Sequence, residues 1–78
     1  MGRQKQKSLW PVVVEKDEDG YFAYCPLLQG CYTQGDTYEE ALDNLRDAIR
    51  LHIEDRIAAR EPLPRVQAFS LTAIEVAA

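Results

Sequence analysis

Between Asp17 and Ala41 the chain carries a succession of breakers and patterned runs that leaves few folds open. It reads as an acidic tight turn, two short strand-forming runs, a Gly-Asp-Thr break and the start of an amphipathic helix. Asp17-Glu18-Asp19-Gly20 supplies the turn, with solvated carboxylates and a glycine free to take the positive φ that closes a short hairpin loop. Before it, Leu9 to Lys16 reads as a first strand, its β-branched Val12, Val13 and Val14 apolar on both alternating faces. Pro11 cannot donate to a ladder, so it is placed ahead of full pairing. Tyr21 to Cys25 returns as a second strand. Pro26-Leu27-Leu28-Gln29-Gly30 lacks alternation and carries both breakers, so it is read as a loop leading to a short third strand, Cys31 to Gln34, ended by Gly35.

The spacing predicts a helix from Tyr38 to Arg60. Thr37 and Glu40 form a capping box in which the Thr37 side chain accepts from the Glu40 N–H and Glu40 reaches back to the N–H of Thr37. Tyr38, Ala41, Leu42, Leu45, Ala48, Ile49, Ile53 and Ile57 recur at three- and four-residue spacing and line one face, which covers the sheet. Asp36, Glu39, Glu40 and Asp43 lie near the start of the helix, with Arg56 and Arg60 near its end, so the charges complement the dipole. Pro62 and Pro64 stop it. Such a helix would be roughly 35 Å long, against about 17 to 20 Å for a strand of five or six residues. Its far end must overhang the sheet, carrying Ile53 and Ile57 with it.

Leu71 to Val76 resumes strand-like patterning and offers a fourth strand. Reached through a helix, it is expected to lie parallel to an earlier strand by a right-handed crossover. Pairing it with the first strand gives an α+β architecture, βββαβ, with sheet order 3-2-1-4 and one long helix on one face. One helix covers only one side of a sheet, so the double-faced valine run predicts a second layer from another subunit or a partner. A homo-oligomer, dimer or tetramer, is the simplest expectation.

With 78 residues the chain holds one core at most. Residues 1–8, with Arg3, Lys5 and Lys7 and no anion, read as a basic flexible tail ahead of a single domain over 9–78. The formal net charge of -4 argues against a broad nucleic-acid-binding surface and favours basic partners. No apolar run approaches the roughly 18 residues of a membrane span, and no secretory leader pattern follows the basic start. Two cysteines, Cys25 and Cys31, are fewer than a small secreted fold usually carries. Both are read as reduced thiols, and the chain is expected to be cytoplasmic. With only His52 besides, they do not supply the paired ligands of a structural zinc site, so no metal and no cofactor are expected.

The acidic turn with Gly20-Tyr21, then Pro26, Gly30-Cys31, and Thr33-Gln34-Gly35-Asp36-Thr37 followed by Glu39-Glu40-Ala41 resembles the HicB-type antitoxins, over about Val12 to Ile57. The resemblance implies a partial ribonuclease H-like fold with a βββαβ core. It also implies a non-catalytic role: family members bind and neutralise a small basic toxin, HicA, an RNA-cleaving protein. Many repress their own operon through an added DNA-binding module, but Arg65 to Ala78 leaves no room for one here, so DNA binding is not expected. The alternative is a stand-alone homo-oligomeric domain of the same family without a toxin partner.

Ribonuclease H chemistry needs carboxylates converging on two metal ions, whereas Asp17, Glu18 and Asp19 sit together at a hairpin tip and read as hydrated. No catalytic residue is assigned. His52 lies near the apolar stripe and reads as a packing or interface residue, and Cys31 as a small strand residue. Two partner-binding surfaces are expected. One is the exposed edge strand Cys31, Tyr32, Thr33 and Gln34, whose unpaired backbone can add a strand from another chain. The other is the helix, through its acidic ladder Glu39, Asp43 and Asp47 and its overhanging Ile53 and Ile57.

Overall fold

A computed structural model describes residues 9–65 and 68–77, so the expected basic tail lies outside the described residues. Three strands, β1 (Val13–Asp17), β2 (Gly20–Tyr24) and β3 (Tyr32–Gly35), precede one helix, α1 (Tyr38–Ala58). The strands form one antiparallel sheet in the order β1-β2-β3. Asp17 pairs with Gly20, leaving Glu18 and Asp19 as the loop, and Asp17 Oδ1 accepts the Asp19 N–H at 2.8 Å. Gly20 has φ +134°, and a Cβ there would sit 2.9 Å from the Gly35 carbonyl oxygen. Glycine is required at that position for both its backbone conformation and its lack of a side chain.

β1 starts at Val13, four residues later than the sequence suggests. The ladder explains the delay. Cys25 donates its N–H to Cys31 on the β3 side, so by alternation Tyr24 and Phe22 direct their backbone groups toward Val13 and Glu15 of β1. One step further, the same register would set Pro11 against Pro26, and neither has an N–H to give.

The core lies wholly between the sheet and α1. Ala23, Cys25, Leu28, Cys31, Ala41 and Leu45 are buried, with Trp10, Val12, Val14, Tyr21, Leu27, Ala48 and Ile49 packed around them. The helix begins almost in contact with the backbone of β3, because a Cβ on Gly35 would lie 2.6 Å from the Ala41 nitrogen. Two side chains tie the elements together. Thr33 Oγ1 donates to the Ala41 carbonyl at 3.1 Å, and Asn44 Nδ2 donates to the Gln34 carbonyl at 3.0 Å.

Thr37 is the N-cap, its side chain accepting from the Glu40 N–H at 3.0 Å. The reciprocal half of the capping box differs from expectation. Glu40 Oε1 accepts from the N–H of Asp36, at 2.7 Å, rather than from that of Thr37, because the chain bends at Asp36 and Thr37 and offers the earlier donor to the first turn. At the other end α1 stops at Ala58, two residues short of the expected Arg60. Arg60 takes φ 59°, with its N–H on the Ile57 carbonyl at 3.0 Å and the Glu61 N–H on the Arg56 carbonyl at 2.8 Å. This is the paired-bond helix terminus that usually places glycine at the left-handed position.

The expected fourth strand is not formed, and the order 3-2-1-4 is realised only as 3-2-1. Among the described residues no strand follows α1. Leu71, Ile74 and Val76 are 81%, 82% and 76% exposed. Patterning makes a segment competent to be a strand, but a strand exists only against a partner, and this segment has none on its own sheet.

Two substitutions test these joints by chemical denaturation. Gly35→Ala forces the helix start off the sheet and is expected to destabilise the fold by about 2 kcal/mol or more. Arg60→Gly removes the left-handed penalty and is expected to stabilise it by about 1 kcal/mol.

Candidate partner-binding face

Strand alternation gives the sheet two unlike faces. Val14, Ala23, Cys25 and Thr33 point toward α1. The opposite face carries Val13 and Glu15 of β1, Phe22 and Tyr24 of β2, and Tyr32 and Gln34 of β3, which the register sets side by side. Tyr24 and Tyr32 are cross-strand partners, and the Phe22 ring contacts both, its centroid 5.8 Å from that of Tyr24 and 5.7 Å from that of Tyr32, in tilted contacts. Phe22 and Tyr24 are half-buried by this clustering, whereas Tyr32 is 61% exposed. No helix or strand among the described residues covers this face.

At the hairpin end, the face runs into a hollow of about 310 Å³ to which Phe22, Gln34, Asp17, Asp19, Asp36 and Glu40 contribute. Asp17 is held by the turn and Glu40 by the helix cap, each through a backbone N–H, so two of the four carboxylates are fixed in place by the fold. Glu18 and Glu39 lie exposed beside them in sequence. The nearby cation, Lys16, lies with its ammonium 5.8 Å from the ring centroid of Tyr21, a helix-side residue. Among the described residues no group of three or more His, Cys, Asp or Glu side chains is arranged to hold a metal ion. The arrangement therefore offers aromatic surface with a negative margin.

The residues expected from sequence to meet a partner fall in separate places. Tyr32 and Gln34 lie on the helix-free face. Cys31 is buried at 2% exposure and Thr33 is turned to α1, so those two side chains serve the core. The β3 edge is also less open than expected: the outward Gln34 carbonyl is already taken by Asn44. On α1, Glu39, Asp43 and Asp47 are exposed, but Asp43 meets Arg46 at 2.9 Å and Asp47 approaches Arg50 at 3.7 Å. Such solvated pairs contribute little stability, yet they cancel much of the ladder's charge. Ile53 is half-buried and Ile57 60% exposed on the overhang, and His52 is half-buried near them.

Sequence reasoning missed Phe22, Tyr24, Asp17, Asp19 and Asp36 as parts of one surface. The signal was there in Tyr21 to Cys25, where small Ala23 and Cys25 alternate with Phe22 and Tyr24. A helix packs closely on the small side, so the large rings must project from the other.

A three-stranded antiparallel sheet with one long helix on one face, carrying these motifs at these spacings, is the fold of the HicB-like antitoxins, and the chain belongs to that family. Residues 10–76 match the family described as the HicB-like antitoxin of bacterial toxin-antitoxin systems. The chain is 50% identical over 62 residues to a UPF0150 protein of Synechocystis sp., covering 78% of each. It is 45% identical over 64 residues to a UPF0150 protein of Thermoplasma acidophilum, covering 81% of this chain and 93% of that one. Among solved structures it is similar to a chain of the HicA3 and HicB3 toxin-antitoxin complex, with a TM-score of 0.61 and 28% identity over 77% of this chain and 70% of that chain.

Cys25 and Cys31 are both free and buried beneath this face. Burial, and secondarily the neighbouring Cys25, raise the Cys31 thiol above its ordinary value of 9.0. The folded chain therefore retains a proton that the unfolded chain releases above about pH 9, so this group favours the folded state below that pH and loses its contribution as pH rises through the folded-state value. Denaturation midpoints measured from pH 7 to 10.5 are expected to fall at the alkaline end, and to fall less in Cys31→Ala.

Proposed function

We propose that this chain neutralises a small basic ribonuclease of the HicA type by seating it on the helix-free sheet face and occluding its RNA-contacting surface. Membership of an antitoxin family and similarity to a chain of a toxin-antitoxin complex support this reading. The observation that carries it is the uncovered Phe22, Tyr24 and Tyr32 cluster beside a carboxylate-lined hollow. Packed aromatic anchors supply most of the energy in many interfaces once a polar rim excludes water. Here the rim is negative, in a chain of net charge -4, and it steers a cationic protein toward the face and fixes its orientation.

The mechanism requires no chemistry from this chain. A ribonuclease must present positive charge to phosphate, and the carboxylates of Asp19, Asp36 and their neighbours compete for that same surface. Inhibition is stoichiometric and reversible, and weakens with salt to the extent that the rim contributes. In this reading Tyr32 and Gln34 are partner contacts, as expected from sequence. Glu39 extends the rim from the first turn of α1. Asp43, Asp47, Ile53 and Ile57 stand outside the docking face. The protein acts in the cytoplasm, alongside the RNA its partner cleaves. No described helix is long and apolar enough to cross a membrane.

Titration of a purified HicA-type ribonuclease with the full chain, read by RNA cleavage and by calorimetry, tests the proposal. Inhibition is expected to saturate at a fixed stoichiometry. Tyr32→Ala, at an exposed position, is expected to raise Kd at least tenfold, about 1.4 kcal/mol, with the thermal midpoint unchanged. Undiminished binding by both Tyr32→Ala and the Asp19→Lys, Asp36→Lys double variant would sink it.

A further inference from the structure

A further hollow lies between α1 and residues 9–12, which lead into β1. It measures about 320 Å³ and is lined by the apolar side chains of Leu9, Trp10, Val12, Leu42, Leu45 and Ile49 together with Arg46, a different surface from the aromatic face. β1 pairs only with β2. Because Val13 and Glu15 direct their backbone groups to β2, Val14 and Lys16 direct theirs outward, where no strand among the described residues meets them. A largely apolar groove thus opens just ahead of an unpaired ladder edge.

The same chain carries a segment with the complementary properties. Leu71, Thr72, Ile74 and Val76 are strand formers, three of them β-branched. Phe69, Leu71, Ile74 and Val76 are 54%, 81%, 82% and 76% exposed, a run of apolar surface that a lone soluble chain has no reason to display. Laid parallel to β1 with Leu71 level with Val12, the segment sends Leu71 into the groove beneath α1 and places Thr72 and Ile74 on the Val13 side. It also brings Glu75 level with Lys16, an opposite-charge cross-strand pair.

We infer that residues 69–76 of one copy add as a fourth strand to the β1 edge of a second copy, whose own segment returns the exchange. A second copy is the occupant the observations favour, because edge and segment belong to the same chain and a reciprocal swap satisfies both in each protomer. An unrelated protein on the groove would leave Leu71 of this chain uncovered and residues 69–76 without a strand partner. Closed two-fold pairing through exchange of an identical element is a common route to dimers. The exchange adds Thr72 and Ile74 beside Val13 and Glu15 and involves neither Tyr32 nor Asp19 and Asp36, so it is tested separately from toxin binding.

Thiol cross-linking distinguishes the arrangements. Lys16→Cys and Glu75→Cys are made in separate full-length chains, mixed under conditions that allow subunit exchange, and treated with a short bifunctional maleimide. A covalent species of twice the chain mass is expected from the mixture, and only traces from either variant alone. Light scattering is expected to show the wild-type chain as a dimer and Leu71→Asp with Ile74→Asp as a monomer of unchanged helical content. In a third variant carrying both substitutions in one chain, a cross-link formed without any species of twice the chain mass would show that the segment returns to its own β1 and would overturn the exchange. A monomeric wild-type chain at high concentration would overturn it equally.

Discussion

The close approach of α1 to β3 is the contact on which the rest of the structure depends. Gly35 brings the sheet backbone so near the first turn of the helix that no side chain fits between them, and Thr33 and Asn44 then hydrogen-bond across the seam. The cap made by Thr37 and Glu40 follows within the next residues, so the direction of the helix is set where it leaves the sheet. Ala23 and Ala41, both fully buried, are small because the two layers are close here. Larger residues would lift α1 away and open the core above Leu45.

A single helix on a three-stranded sheet cannot enclose a core from both sides. Burial is accordingly one-sided, and the surfaces left open are not ordinary polar surface. One bears Phe22 in contact with both Tyr24 and Tyr32, and the other a largely apolar groove just ahead of a free strand edge. In a small domain the apolar area that helps association is withheld from the monomer's own core. Open surface of this kind also links stability to association, since whatever binds the folded form raises its stability.

Much of the architecture was legible in the chain, for local reasons. The acidic turn, the Pro26 to Gly30 loop and the Thr37 cap each depend on backbone chemistry of one or two residues, so the three strands, their antiparallel order and the helix start could be read directly. The errors share a cause. β1 begins late because Pro11 and Pro26 come level in the register, a pairing between residues far apart in sequence. Glu40 binds the Asp36 N–H because of a bend that one-dimensional spacing does not encode. The candidate surface was less legible still. Cys31 and Thr33 share an edge strand with Tyr32 and Gln34, but alternation turned the first two inward. Phe22 and Tyr24 gained their place beside Tyr32 only through strand pairing.

The sequence by itself determined the kinds of element, their order, the family to which the chain belongs and the sign of its charge, because these follow from periodicity, breakers and composition within short windows. Only the tertiary structure decided which side of the sheet stays open, which carboxylates gather at its end, and that Leu71 to Val76 finds no partner on its own sheet. Those outcomes depend on register and on the gap between layers, where distant residues meet and where each side chain must either fit under α1 or face outward.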